Sequence, residues 1–421
     1  VQLDPFVSTL ILILLALVGA RFSFSTLQIP PGPRLVFRTG THFLILGFIL
    51  GPHLLGLLTQ DAVRQLFPLL GLGLGWIGFL FGLQLDRRNL SHFPPVYLIL
   101  AIAQAVLVFF LFLGVGWILL VSTGQLGRTA TLLLIGAAAT ACISTPAGIA
   151  LISTNYQVKG KTRDLLFLVA SLDALVGIAA LQVVYALFPP GDLGVGATVL
   201  SRLAWVVAAG GLGIICGILF IWLTRPRPSG EEMVLFLLGV AAFASGAALE
   251  LQLSPLFVSV TMGVVVANIS PDPQRVFKVL EDWEKPIYVV LLMLAGALLD
   301  FSTPWILALA LMYALVRGGG KVFANLTMVR LLPVPTDIPR RFGLGLIPQG
   351  GISLAMAISF VLTYGGQMLG ERNAADLLFS AVVLGVILSE LSGPFFTRAI
   401  LQRAGEISPR KEAAADRQEN P

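Results

Sequence analysis

The sequence predicts an all-α polytopic membrane protein of about thirteen transmembrane helices, built as inverted repeats with two crossed discontinuous helices, the fifth and the twelfth. Three observations predict it. Of the 421 residues, 57% are hydrophobic and only 12% charged, with a mean hydropathy of +0.91; a water-soluble chain of this length could not bury that much apolar surface. Apolar stretches long enough to cross a bilayer recur along the chain between short polar breaks. Lys and Arg alternate in density from one break to the next, as membrane orientation requires.

The stretches fall at about 5–20, 41–58, 66–85, 95–121, 129–154, 165–188, 198–223, 232–250, 254–270, 285–299, 304–329, 342–365 and 376–397. The first, Phe6–Val18 at its centre, has no basic start and no A-x-A-like cleavage site, so it reads as a retained span and not as a signal peptide. The breaks carry turn and charge chemistry, as in DRRNLSHFPP (86–95), FPPGDLG (188–194), TRPRPSGEE (224–232) and ISPDPQRVFKVLEDWEKP (269–286). Residues 1–400 form a single transmembrane domain, and 401–421 a polar tail. Cys142 and Cys216 lie inside apolar runs, which argues against a disulfide framework. The sequence pI near 9.4 does not imply nucleic-acid binding, because the basic residues are scattered among loops.

Most of the 27 Lys and Arg residues fall on one side of a thirteen-span arrangement: Arg21, Arg34, Arg38, Arg87, Arg88, Lys159, Lys161, Arg163, Arg225, Arg227, Arg275, Lys278, Lys285, Arg330, Arg340, Arg341 and those after Gly393. The other side holds Arg64, Arg128, Arg202 and Arg372. The positive-inside rule then puts the N-terminus outside and the C-terminus in the cytoplasm of a cell (inner or plasma) membrane.

Two spans are interrupted. The fifth reads TATLLLIGAAATACISTPAGIALIS, with Thr140, Ser144, Thr145, Pro146 and Gly148 at its middle; the twelfth reads FGLGLIPQGGISLAMAISF, with Pro348, Gln349, Gly350 and Gly351. Each break frees backbone groups that only protein or a polar cavity can satisfy at that depth. The two spans run in opposite directions. Paired breaks in oppositely running helices are the mark of an inverted-repeat secondary transporter, with its site at the crossing.

Asp173 stands alone in the apolar run Leu165–Leu187, where a carboxylate costs on the order of 3 kcal/mol on insertion scales. It lies nine residues from Asp164, and Lys321 lies nine from Arg330, each counted from the end predicted to be cytoplasmic. At the helical rise per residue, Asp173, Lys321 and both breaks share a layer roughly 10–20 Å from that face. Arg317, Lys321 and Asn325 recur every four residues and form one polar stripe, with Gly318–Gly320 expected to admit a close neighbour. Gly177 and Ala180 on the Asp173 face are expected to do the same. Arg317 needs a partner, for which Glu390 on the thirteenth span is the candidate.

These residues resemble the monovalent cation/proton antiporter superfamily, closest to the branch of Kef-type potassium and bacterial sodium antiporters. The resemblance runs from about Phe43 to Ile400. FLILGFILGPHLLGLL (43–58) and GWIGFLFGLQLD (75–86) are similar to the family's early helices, and ATACISTPAGIALI (139–152) to its first broken helix. ALELQLSPLFVSVTMGVVVAN (248–268) is similar to a stretch ending in G-x-x-x-x-N, here Gly263 and Asn268. VRGGGKVFANLTMVRLL (316–332) places Lys321 on the family's core-helix lysine, and GLIPQGGISLAMA (345–357) resembles the second broken helix. Two features depart from the pattern. Leu172 precedes Asp173 where the family has an acid or amide, and Ile352 follows Gly351 where it often has an acid.

The resemblance implies a mobile core (about 95–188 and 303–397), a dimerising scaffold (about 5–85 and 232–299), a linker helix (198–223) and a homodimer embedded in lipid. It implies a secondary active transporter, not an enzyme and without a cofactor, that exchanges Na⁺ or K⁺ for protons by elevator-type alternating access. Asp173 would hold the cation or the proton, with Ser144, Thr145, Thr140 and Ser171 as further oxygen ligands and half-helix C-termini helping. Lys321, Arg317 and Glu390 would compensate charge. Desolvation favours the protonated acid and a nearby lysine the carboxylate, so Asp173 is expected to change protonation near working pH. One acid at the site implies electroneutral one-for-one exchange. Two other classes share parts of the pattern: a crossed-helix solute symporter, which needs a larger polar cavity, and a non-transporting or channel-like module of the same fold.

Overall fold

The computed structural model describes Leu14 and residues 40–189, 199–225, 228–301, 304–334, 338–365, 368–369 and 372–407. The expected first span and most of the polar tail lie outside the described residues. The described chain is almost wholly helical: α1 (Thr41–Leu50), α2 (Gln60–Gln65), α3 (Phe67–Leu83), α4 (Arg87–Leu90), α5 (Pro95–Ser122), α6 (Arg128–Ala141), α7 (Pro146–Asn155), α8 (Lys161–Leu187), α9 (Val199–Leu223), α10 (Gly230–Glu250), α11 (Pro255–Ile269), α12 (Pro273–Ala297), α13 (Ile306–Leu331), a 3-10 turn (Phe342–Leu346), α14 (Gly350–Tyr364) and α15 (Ala374–Arg403). A two-residue antiparallel pair, Met368–Leu369 with Arg372–Asn373, closes the hairpin before α15.

Among the described residues, seven helices are long and apolar enough to cross a membrane when α6 and α7 count as one, and α3, α11 and α14 are shorter apolar helices. The fold is that of a polytopic membrane protein. Two elements differ from the sequence expectation. The stretch 41–58 is helical only to Leu50, because Gly51 and Pro52 follow and Pro cannot extend the ladder. The loop expected at 269–286 is helical from Pro273: Asp272 accepts from Arg275 N, Pro273 occupies the first turn, and Val276 and Leu280 are buried on one face.

Helix starts elsewhere follow from the same local chemistry. Ser229 and Glu232 form a reciprocal capping box on α10, Ser254 caps α11 ahead of Pro255, and Asn373 caps α15. The end of α3 is tied to α11 by Asn268, whose Nδ2 donates to Leu85 O (3.2 Å) and whose Oδ1 accepts from Arg87 N (3.0 Å).

The helices pack in two groups. One contains α1, α3, α9, α10, α11 and α12; the other contains α5 to α8, α13, the 3-10 turn, α14 and α15. Contacts between the groups are fewer and run through α14 against α3 and α11 and through α8 against α9 and α11. A buried hydroxyl chain bridges them there: Ser359 Oγ lies 3.2 Å from Ser254 Oγ and 2.9 Å from Tyr185 OH. A cavity of about 560 Å³ also lies between the groups, walled by α3 and α12 and by α7, α14 and α15.

Candidate functional site

The two interrupted spans meet at their breaks. Pro146 starts α7, Pro348 lies in the short link of residues 347–349 between the 3-10 turn and α14, and Thr145 N donates to Pro348 O at 3.0 Å. Proline at each break forbids a continuous ladder, so carbonyls at the ends of α6 and the 3-10 turn lose their helical partners. Gly350 turns the chain with φ +69°, and a Cβ there would come within 2.5 Å of the Thr145 side chain. Only glycine fits both the conformation and the space. A Gly350→Ala protein is therefore expected to lose about 1–2 kcal/mol from the backbone alone, with more from the clash. Gly318→Ala, where nothing lies within 4 Å of the added methyl, is the matched control; equal melting temperatures for the two would contradict this account.

The orphaned carbonyls are met by cations. Arg317 Nη1 donates to Ile347 O (2.7 Å), and Nη2 donates to Ile143 O and, more weakly, to Leu346 O (3.4 Å). Lys321 Nζ donates to Cys142 O. Gln349 Nε2 donates to Thr140 O (2.9 Å) and to the Tyr313 hydroxyl, which in turn donates to Thr140 Oγ1 (3.1 Å). At the other polarity, Glu390 Oε1 accepts from Gln349 N (3.0 Å) and Gly350 N (2.7 Å), where α14 begins. Positive groups sit at helix C-terminal ends and a negative group at an N-terminal end, as the peptide dipoles demand.

Asp173 is fully buried beside this crossing. Its Oδ2 forms an ion pair with Lys321 Nζ and accepts from Ser144 Oγ at 2.9 Å; its Oδ1 accepts from Gln104 Nε2 on α5. Ser144 Oγ also lies 2.9 Å from Leu346 O, but it has one proton to give. An ionised Asp173 can draw that proton. A protonated Asp173 would instead donate to Ser144 and send the serine proton to Leu346, on the second broken span. The hydrogen-bond pattern at the crossing thus depends on the protonation of Asp173.

The sequence-expected residues sort as follows. Asp173, Ser144 and Lys321 are brought into direct contact. Thr145 caps α7, with Oγ1 accepting from Ala147 N (3.3 Å), and Thr140 lies on the Tyr313–Gln349 side of the break. Ser171 donates to Phe167 O on its own helix (2.9 Å), and no described hydrogen bond links it to Asp173. Glu390 caps α14, and its hydrogen bonds do not go to Arg317. The carbonyls of Cys142 and Ile143 hold Lys321 and Arg317. Gly177 does allow close approach, since a Cβ there would lie 2.8 Å from Ala139 O; Gly318 and Gly319 face open space, and Gly320 meets only Val108 at 3.8 Å.

Two members were not anticipated. Gln104 is the lone amide in the apolar run of α5, the same signal that singled out Asp173. Tyr313 extends the Arg317–Lys321–Asn325 stripe by one turn, and all four are buried. Asn325 Nδ2 lies 3.4 Å from Gln104 Oε1 and closes the polar cluster.

The transmembrane sodium/hydrogen exchanger family model matches residues 10–403. No curated relative matches the sequence. Among solved structures, the fold is similar to the sodium proton antiporter MjNhaP1 from Methanocaldococcus jannaschii at pH 8, with TM-score 0.63 and 16% identity over 94% of this chain and 97% of that one. An electron-microscopy structure of MjNhaP1 gives TM-score 0.61 and 18% identity over 97% of this chain and 100% of that one. With its family model covering nearly the whole length, the chain belongs to the sodium/hydrogen exchanger family, whose members are membrane transporters and not enzymes.

Proposed function

We propose that this protein exchanges a monovalent cation, Na⁺ or K⁺, for protons across the cell membrane, and that Asp173 binds either one but not both. The observation that carries the reading is the buried Asp173–Lys321 pair at the crossing of two interrupted helices. A charge pair kept at that depth costs several kcal/mol per ion in desolvation, and well-packed apolar side chains would be no less stable. An ion-handling role accounts for its presence.

Lys321 touches the Asp173 carboxylate and the Cys142 carbonyl, the kind of oxygens a dehydrated monovalent cation seeks. A cation or a proton on Asp173 would loosen the ammonium from Oδ2, while Cys142 O keeps hold of it. Gln104 and Ser144 hold the carboxylate's position through the exchange. With Lys321 charged throughout, one cation replaces one proton and no net charge moves.

Residues 95–188 and 303–397 would move as a rigid core against a scaffold of 5–85 and 232–299, with 198–223 as linker, opening Asp173 to each side in turn. The polar contacts at the break lie within the core, so they would travel with it. A homodimer with the N-terminus outside fits the basic-loop distribution and the resemblance.

The test is flux in proteoliposomes carrying a pH-sensitive dye, with Na⁺, K⁺ and Li⁺ added in turn. Cation-driven pH change that persists when the membrane potential is clamped is the expected result. Exchange that itself generates a potential would overturn the one-for-one count and make Lys321 a second proton carrier. Cation current without proton movement would indicate a channel instead.

A further inference from the structure

The cavity between the two helix groups does not end on Asp173. Thr145, Gly350 and Glu390 line it together at the break, while Asp173 is fully buried and lines none of it. Glu390 is 8% exposed, and Pro394 and Ile387 of the same helix face line the same wall. Its Oε1 accepts both backbone N–H groups at the start of α14, which leaves Oε2 without a described hydrogen bond on a residue that lines the cavity. Capping two N–H groups needs only a hydroxyl or an amide oxygen, whereas a carboxylate at membrane depth carries a large cost. The cap alone does not explain the acid.

We propose that Glu390 is a second cation site, which takes a monovalent cation from the cavity ahead of Asp173. The inference rests on the exchange reading and adds to it the group that an arriving ion meets first. Carboxylate and hydroxyl are hard oxygen donors, suited to alkali ions. The Thr145 side chain also lines the cavity, within 2.5 Å of where a Gly350 methyl would be, so it borders the site.

The charged and titratable groups around Glu390 fit that role. Glu284 and Tyr288 of α12 line the opposite wall, and Arg317 of α13 acts on it from behind the break. α7 contributes hydroxyls, Thr145 and Thr154, and no charge. Two carboxylates on facing walls of one cavity, with Arg317 turned to carbonyls, leave it attractive to cations.

The test is carbodiimide labelling of the full-length protein in detergent, read by peptide mass spectrometry. Dicyclohexylcarbodiimide should modify Glu390 and not Asp173, and Na⁺ or Li⁺ should suppress the labelling at least about threefold where choline does not. Protection should persist in Asp173→Asn protein. In proteoliposomes, Glu390→Gln keeps an amide oxygen for the two N–H groups and should raise the KM for the cation about tenfold, with Glu390→Asp intermediate. Absent labelling, labelling insensitive to cations, or an unchanged KM would each overturn the proposal. Protected labelling in a wild-type protein that shows no exchange would overturn the exchange reading and leave this site standing.

Discussion

An Asp173→Asn protein folds, inserts and shows no pH-dependent cation flux. Asparagine keeps the shape of the side chain, its carbonyl can still accept from either Ser144 or Gln104, and the close approach of Gly177 to Ala139 and Ile143 one turn along the helix is untouched. What disappears is the only carboxylate among the described residues in direct contact with Lys321. Removing one partner of a buried pair costs about 3–5 kcal/mol when the other charge is stranded. Here the ammonium keeps the Cys142 carbonyl and can lose its proton, which limits the penalty. The expected protein is monodisperse with a somewhat lower melting temperature, and its exchange falls at least about a hundredfold, the loss of one group that only the ion-bound and proton-bound states need. Flux within a few-fold of wild type in folded protein would remove Asp173 from the mechanism.

How much of this site was legible depended on whether the signal was local. Asp173, Lys321 and both breaks announced themselves, because a charge or a proline in an apolar run is costly wherever the chain folds. The twelve expected spans within the described residues all carry helix, since span length and apolarity are one-dimensional properties. The Asp173–Lys321 contact followed from shared depth alone. Partner choice was not one-dimensional. Arg317 and Glu390 were expected to pair by charge, yet each found backbone groups instead, because opening two helices puts carbonyls and N–H groups within reach that no residue pattern displays. Ser171 neighbours Asp173 closely in sequence but turns its hydroxyl to its own helix, a choice always open to Ser in a helix. Gln104 shows the converse. The amide partner that Leu172 cannot supply from the same helix comes from α5, 69 residues earlier in the sequence.

Loss of Arg317 should be the most destabilising single change in the crossing. Its guanidinium joins Ile143 O at the end of α6 to Leu346 O and Ile347 O at the end of the 3-10 turn, and it is completely buried. Both of these ends present bare carbonyls, so without a cation between them they repel and lack donors. An unsatisfied buried polar group costs about 1–3 kcal/mol. Arg317→Met fills much of the same volume and leaves three such oxygens, of which the Ser144 hydroxyl can serve only Leu346. A loss of about 3–5 kcal/mol is a large share of the total for any chain, so the variant should accumulate poorly and elute as aggregate. Arg317→Lys supplies charge without the planar fork, and reaches fewer of the carbonyls at once; it should fall between the two. Asp173→Asn is the useful comparison, because it abolishes flux with the crossing intact, whereas Arg317→Met should abolish the crossing itself. An Arg317→Met protein that is monodisperse and melts within a few degrees of wild type would show that the two broken spans are held together by something other than this side chain.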